Sequence, residues 1–180
     1  VEDENLITVE RAGELRLSEQ VNRLLPIWPV GDQEMVTFGA QIRAALAQSP
    51  RTMILDEVRA DEPESIAPLL EGDSGIRQIW SFRGEVDLKR LRSALGMLAR
   101  RADPSQAEKM AQELVQRLPF VISVKRSRGG LQLRAIAEWQ NAIGDQTNFV
   151  PLWEAQDGQI QRTGKKPSHT LNLPEDFWSA

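Results

Sequence analysis

Cysteine is missing from these 180 residues altogether. Within them that leaves no disulfide, no thiol nucleophile and no thiolate zinc site, and it is compatible with a reducing cytoplasm. Histidine occurs once, as His169 in a Pro-Ser-His stretch. It has no partners at metal-ligand spacing and no nucleophile elbow for Ser-His-Asp catalysis, so it reads as a surface residue. No apolar run approaches the ~20 residues of a membrane-spanning helix. The opening Val1-Glu2-Asp3-Glu4-Asn5 is acidic, with no basic or apolar region of the kind a secretion signal needs. Internal repeats and low-complexity segments are also absent. A net charge of −4 supplies no general field toward nucleic acid or membranes. With 41% apolar and 27% charged residues, the composition is that of an ordinary globular chain, and its length suits one domain with a sizeable core.

What is present centres on Arg51-Thr52-Met53-Ile54-Leu55-Asp56-Glu57-Val58-Arg59. The run from Thr52 to Leu55 lacks polar alternation, which suits a strand buried on both faces of a parallel sheet. Asp56 and Glu57 then fall at its carboxyl end, the rim where open α/β sheets bind ligands. Nucleotide hydrolases use acids in that place to order Mg²⁺ or to orient the attacking water. The plainer reading is a buried strand that ends in a solvated turn.

Around this stretch the chain alternates. Residues 6–10 form a second β-rich run ending on an acid, and residues 14–17 read as a strand or a turn extension. Pro26 and Pro29 break residues 21–30 into an extended edge segment. Residues 36–48 read as a helix with Phe38, Ile42, Ala45 and Leu46 at helical spacing, ended by Ser49-Pro50. A short helix is expected after residue 60, a strand over 76–82, a helix over 86–99, and another opening at Asp103-Pro104. Residues 120–124 and 131–136 read as a hairpin around Arg128-Gly129-Gly130. Residues 149–153 are a strand candidate, and residues 165–180 read as a loose tail. Gly158 to Gly164 followed by Lys165-Lys166 mimics a P-loop, one residue too long and without the Ser or Thr hydroxyl. The order predicts an α/β domain with a largely parallel sheet and a C-terminal β-hairpin over residues 1–154, then a tail over 155–180. The five tryptophans read mostly as core or rim anchors, with Trp178 placed to dock on a neighbouring subunit. Lys89, Arg90, Arg92, Arg100 and Arg101, with Lys125, Arg126 and Arg128, would make a phosphate-binding patch only if they shared a side; otherwise they are solvated faces.

Several stretches, taken in order, resemble the secretion and pilus-assembly traffic ATPases, the P-loop motors of type IV and type II secretion, in particular the conjugation and tight-adherence pilus branch. Residues 9–17, Val-Glu-Arg-Ala-Gly-Glu-Leu-Arg-Leu, resemble the acidic box of those motors. Residues 21–24 resemble the Arg-bearing strand beyond it. Residues 44–59 resemble the Walker B region, residues 72–82 stand where the histidine box falls, residues 121–138 resemble the closing strand pair, and residues 149–153 the terminal strand. The resemblance spans roughly residues 6–154 and implies a RecA-like, P-loop-type fold. It implies catalytic roles for Glu57, at the Walker B glutamate, and for Glu14, which would polarise the attacking water. It implies nucleotide-site roles for Glu10, Asp56 and Arg23, the last reaching phosphates within an oligomeric ring.

The departures carry equal weight. A phosphate cradle needs Gly-x-x-x-x-Gly-Lys-Ser/Thr, and the chain has none. Arg11 replaces the aspartate of the acidic box, Asp73 and Ser81 stand at the two histidine positions, and Asp56 takes the place of a glycine. Either a longer ATPase has been cut after its P-loop, or the domain is degenerate. On both readings the chain is not expected to hydrolyse ATP by itself, and Mg-ATP is a cofactor only if a P-loop comes from outside it. The expected role is a cytoplasmic subunit or regulator of a transport or assembly machine, homo- or hetero-oligomeric, working with a complete secretion ATPase. A non-enzymatic module binding a partner protein or nucleic acid is the alternative, and no membrane insertion is expected.

Overall fold

The computed structural model describes residues 5–32, 34–59, 66–70, 75–83, 88–141 and 147–171. The chain divides into two compact units, Val1–Leu114 and Val115–Ala180.

The first unit is built on four parallel strands, β1 (Leu6–Glu10), β2 (Asn22–Leu24), β3 (Thr52–Asp56) and β4 (Arg77–Trp80), in the order β2-β1-β3-β4. The two unalternating runs occupy the centre, as a strand buried on both faces must. Ile7, Val9, Met53 and Leu55 are fully buried. The register sets Thr8 beside Arg23 and Glu10 beside Asp56, so both acids reach the carboxyl edge at the same level. Residues 14–17 form no strand.

Helix α1 (Phe38–Leu46) starts at Thr37, whose hydroxyl accepts the Ala40 N–H at 3.1 Å, a standard N-cap bond. Phe38, Ile42 and Ala45 form its buried stripe. The helix is shorter at both ends than the pattern predicts, because the cap fixes its start and Ser49, at φ +50°, turns the chain out after Ala47. Asn5 ties that turn back to β1 by donating from Nδ2 to the Gln48 and Ser49 carbonyls at 3.1 and 2.7 Å. After the short α2 (Ala67–Leu70) come α3 (Leu88–Ala102) and α4 (Ala107–Arg117). Their apolar stripes bury Leu95, Leu98, Ala99 and Leu114. Asp103 caps a turn, accepting from the Ser105 N–H at 2.8 Å and hydroxyl at 2.6 Å, so α4 begins only at Ala107.

The second unit is an antiparallel sheet of β5 (Phe120–Ser127), β6 (Gly130–Asn141), β7 (Thr147–Gln156) and β8 (Gln159–Arg162), in sequential order. The expected hairpin is its first half, and its strands run longer than predicted, closing at the Ser127–Gly130 pair. The parallel sheet is therefore one of two among the described residues rather than the bulk of the fold. The end of β7 and all of β8 fall within the span 155–180 expected as a tail. Asp157 and Gly158, at φ +50° and +80°, form the two-residue turn into β8. Positive φ at both central residues matches the twist of a hairpin and is what Asp-Gly favours. Gly158, half of the P-loop mimic, is a hairpin glycine. Beyond β8 the chain folds back, with the Thr163 hydroxyl donating to the Pro151 carbonyl at 2.7 Å. Trp139 is buried edge-on to Phe149, while Trp28 is 61% exposed, contrary to its expected core or rim place. Asp73 and Trp178 lie outside the described residues. Among the described residues no helix is long and apolar enough to cross a membrane.

Candidate functional site

Period-two geometry puts Thr8 and Glu10 on one face of β1, and the parallel register brings Arg23 to the same face. Glu10 is completely buried. Its Oε1 accepts from the Thr8 hydroxyl at 2.7 Å and from Arg23 Nε at 2.8 Å, and its Oε2 accepts from Arg23 Nη2 at 2.6 Å and the Leu15 N–H at 3.2 Å. The two guanidinium donors fit the two oxygens as a fork, the strong form of charged hydrogen bond. Arg23 Nη2 also donates to the Gly13 carbonyl at 2.8 Å, closing the loop after β1 over the pair. Burial alone would raise the Glu10 pKa, but Arg23, Thr8 and the Leu15 N–H outweigh it and hold the carboxyl below its ordinary value. The hydrogen bond to Glu10 and the Glu10 charge in turn raise the Arg23 pKa against a burial effect that lowers it.

One strand across, Asp56 and Glu57 are pinned to the chain leaving β4. The Ser81 hydroxyl donates to Asp56 Oδ1 at 2.7 Å and accepts the Glu57 N–H at 2.7 Å. Backbone bonds from Ser81 N–H to the Leu55 carbonyl and from Val58 N–H to the Ser81 carbonyl, both 2.9 Å, complete the splice. Glu57 itself adopts the left-handed conformation, φ +59°. That backbone is costly for a residue with a Cβ and is kept where surroundings over-determine it. Its carbonyl accepts from Arg11 Nε at 3.2 Å. Its carboxylate faces Arg59 at 2.9 Å and Arg83 at 3.8 Å. The Arg59 hydrogen bond is the largest influence and lowers its pKa; burial opposes it, and the charges of Arg83, Arg59 and Arg11 add to the lowering. Arg11 also lies over the Phe38 ring, 4.8 Å from its centroid.

The structure thus joins Glu10 to Arg23 and Asp56 to Glu57, and aligns the two pairs across β1 and β3. Glu14 stands apart: it is exposed, and no hydrogen bond or ion pair links it to the other four. Among the described residues no three His, Cys, Asp or Glu side chains are grouped to hold a metal ion. An open hollow of about 330 Å³ lies between α2 and the α3–α4 turn, lined by Leu70, Ala102, Asp103, Lys109, Met110 and Glu113 among others, and none of the five candidate residues borders it.

Sequence reasoning missed the residues that hold these acids. Thr8 was legible as the i−2 neighbour of Glu10, whereas Ser81, Arg59 and Arg83 required the β3–β4 pairing. It also missed a second buried carboxylate in the other unit. Glu138, on β6, is fully buried. It accepts from Gln140 Nε2 at 2.6 Å, the Ser168 N–H at 2.7 Å and the His169 N–H at 2.9 Å, and it meets His169 Nδ1 at 2.6 Å. His169 is therefore not a free surface residue. It is half-exposed, clamped to Glu138 and edge-on to Phe120 at 5.8 Å.

No protein-family profile matches the chain, and no curated protein matches it. Among solved structures it is similar to the VirB11 ATPase from the Brucella suis type IV secretion system, determined in complex with sulphate. The TM-score is 0.56 at 17% identity, over 76% of this chain and 41% of that one. The fold is thus secretion-ATPase-like, a mixed α/β arrangement with one parallel and one antiparallel sheet. The chain spans less than half the length of that relative.

Proposed function

We propose that the chain is a secretion- or pilus-type ATPase-like domain that serves as a cytoplasmic subunit or regulator of a transport or assembly machine and does not hydrolyse ATP alone. One observation carries this reading: at the carboxyl edge of the parallel sheet Glu10 and Glu57 are paired with the chain's own arginines and Asp56 with a serine hydroxyl. Mg²⁺ with a nucleotide takes one or two free carboxylates, bound water and phosphate oxygens. Glu10 is enclosed by the Arg23 fork, Glu57 faces Arg59 and Arg83, and Asp56 holds Ser81. Glu14, the residue expected to polarise water, has no described link to any of them. Acids engaged in this way support the reading that the edge does not take up Mg-ATP without a P-loop supplied from outside the chain. What the edge can do is hold the β1, β3 and β4 ends in one fixed geometry, which suits an assembly surface within a homo- or hetero-oligomer.

Titration calorimetry with Mg-ATP and with ADP, beside a phosphate-release assay, tests the reading. The expected result is no turnover by the chain alone and a change in turnover when it is added to a complete secretion ATPase. Steady hydrolysis by the chain alone, lost in both Glu57→Gln and Glu14→Gln, would overturn it. Nucleotide binding that arises only when a P-loop-bearing segment is supplied would identify a part of an active motor instead. A second reading, a non-enzymatic binding module, is favoured by the hairpin of the second unit, which carries four cations and no acid from Phe120 to Ala137.

A further inference from the structure

We infer that the β5 edge of the second unit receives an extended acidic–aliphatic segment of a partner protein, which adds to the sheet as a further strand. Among the described residues β5 is the outer strand of the order β5-β6-β7-β8 and pairs only with β6. Among the described residues no backbone group outside the sheet bonds to Phe120–Ser127. Sheet edges left open in this way template further pairing; natural edges are blunted by proline, bulges, a covering element or edge charge, and here the Lys125 and Arg126 charge disfavours another basic strand while leaving an acidic one acceptable. β5 contains no proline.

The side chains on this edge state what would pair there. Ile122, Val124 and Leu131 are 65%, 47% and 70% exposed, aliphatic residues on one hairpin. The register shift between Ser123 and Val124 passes over Arg134 on β6, leaving it without a partner across the pair. Lys125, Arg126, Arg128 and Arg134 are all exposed, and none makes an ion pair among the described residues. Four unneutralised cations beside open aliphatic surface, on a chain of net charge −4, call for alternating acidic and aliphatic side chains on an extended backbone. Backbone bonds would supply affinity, and the side chains register and selectivity.

Two other occupants fit less well. Single-stranded nucleic acid binds where aromatic rings stack bases between cations, but the exposed apolar groups here are Ile122, Val124 and Leu131. A second copy paired edge to edge would set Lys125 and Arg126 against their equivalents, and like charges across a strand pair are repulsive.

Fluorescence anisotropy with a labelled octapeptide alternating glutamate and valine, titrated with the full chain, tests the inference. Saturable binding is expected, weaker at higher salt. Lys125→Glu, Arg126→Glu and Arg128→Glu combined should weaken it about tenfold or more. The same peptide N-methylated at every residue keeps its side chains and loses the backbone donors of both edges, and it should not bind. Because that control leaves the protein untouched, a misfolded variant cannot mimic its result. Equal binding of the N-methylated peptide, indifference to charge reversal, or tighter binding of an oligonucleotide than of the peptide would each overturn the inference, as would no binding at all.

Discussion

Glu10 and Arg23 meet as a fork across adjacent parallel strands, at 2.8 and 2.6 Å, with the carboxylate fully buried and the guanidinium partly open to solvent. The Thr8 hydroxyl and Leu15 N–H use the remaining acceptor positions, so the acid is satisfied entirely from within the chain. A catalytic acid needs an unspent lone pair or a movable proton. Glu10 has neither, and its consequences are chiefly for stability.

Glu10→Gln should therefore destabilise the first unit by about 2 kcal/mol, because an amide cannot accept both prongs and buries an unmatched donor. Arg23→Met alone should also destabilise, leaving a buried charge without its counter-ion. The double variant Glu10→Met with Arg23→Met should recover much of that loss, as apolar replacements of buried ion pairs often do. Urea titrations of these variants together with the Glu10→Met single variant and the parent protein close the cycle and give the coupling directly. Additive losses would mean that the fork contributes little.

Ser81 bridges the acid pair to the strand beside it, and Ser81→Ala removes one acceptor from the Glu57 N–H and one donor from Asp56. The expected cost is about 1 kcal/mol for hydrogen bonds near the surface. Glu57 depends on that splice to stay at positive φ, so its amide should exchange faster with solvent in the variant. Hydrogen exchange at Glu57 and Val58 checks this, and unchanged protection would show that the backbone bonds from Ser81 suffice.

How much of this was legible in the sequence follows from range. β1, β3 and the α1 stripe were readable because burial on both faces and a 3.6-residue period leave local marks, and the acids at the strand ends came with them. The partners of those acids were not readable. Arg23 meets Glu10 only through the β1–β2 register, and Ser81 meets Asp56 only through β3–β4. A charged residue at a strand end looks the same in sequence whether it waits for a ligand or is already neutralised. The antiparallel sheet is half readable: the Arg128-Gly129-Gly130 turn signal marks its first hairpin, while the glycine of Asp157-Gly158 doubles as the first glycine of a P-loop mimic and hides the second turn. His169 reads as a surface residue because its partner, Glu138, is distant in sequence.

The Asp157-Gly158 turn makes a direct backbone test. Gly158 sits at φ +80°, with open space where a Cβ would be placed, so substitution meets conformational strain rather than a clash. Gly158→Ala should cost the second unit about 1 kcal/mol, whereas Asp157→Asn should be nearly neutral, since Asn tolerates the left-handed region. Thermal unfolding of the two variants separates these outcomes, and equal losses would show that the Asp157 carboxylate matters as much as the turn geometry.

The strap carrying Ser168 and His169 is held by Glu138, whose pKa is lowered from an ordinary 4.5 to about 2. Burial acts to raise it, but bonds from Gln140, the Ser168 and His169 N–H groups and the His169 ring prevail. A carboxyl whose pKa is depressed on folding contributes stability that is fully present above its unfolded value and is lost as pH falls through the folded one. The strap should therefore be tight above about pH 4.5 and loosen progressively toward pH 2, with as much as about 3 kcal/mol at stake. In an NMR titration the Ser168 and His169 amide resonances should move together with a midpoint near 2, ahead of global unfolding. Glu138→Gln should abolish that coupled movement and speed exchange at both amides at neutral pH. A midpoint near 4.5 would mean that the carboxylate is solvated and the strap is held by Thr163 and its neighbours instead.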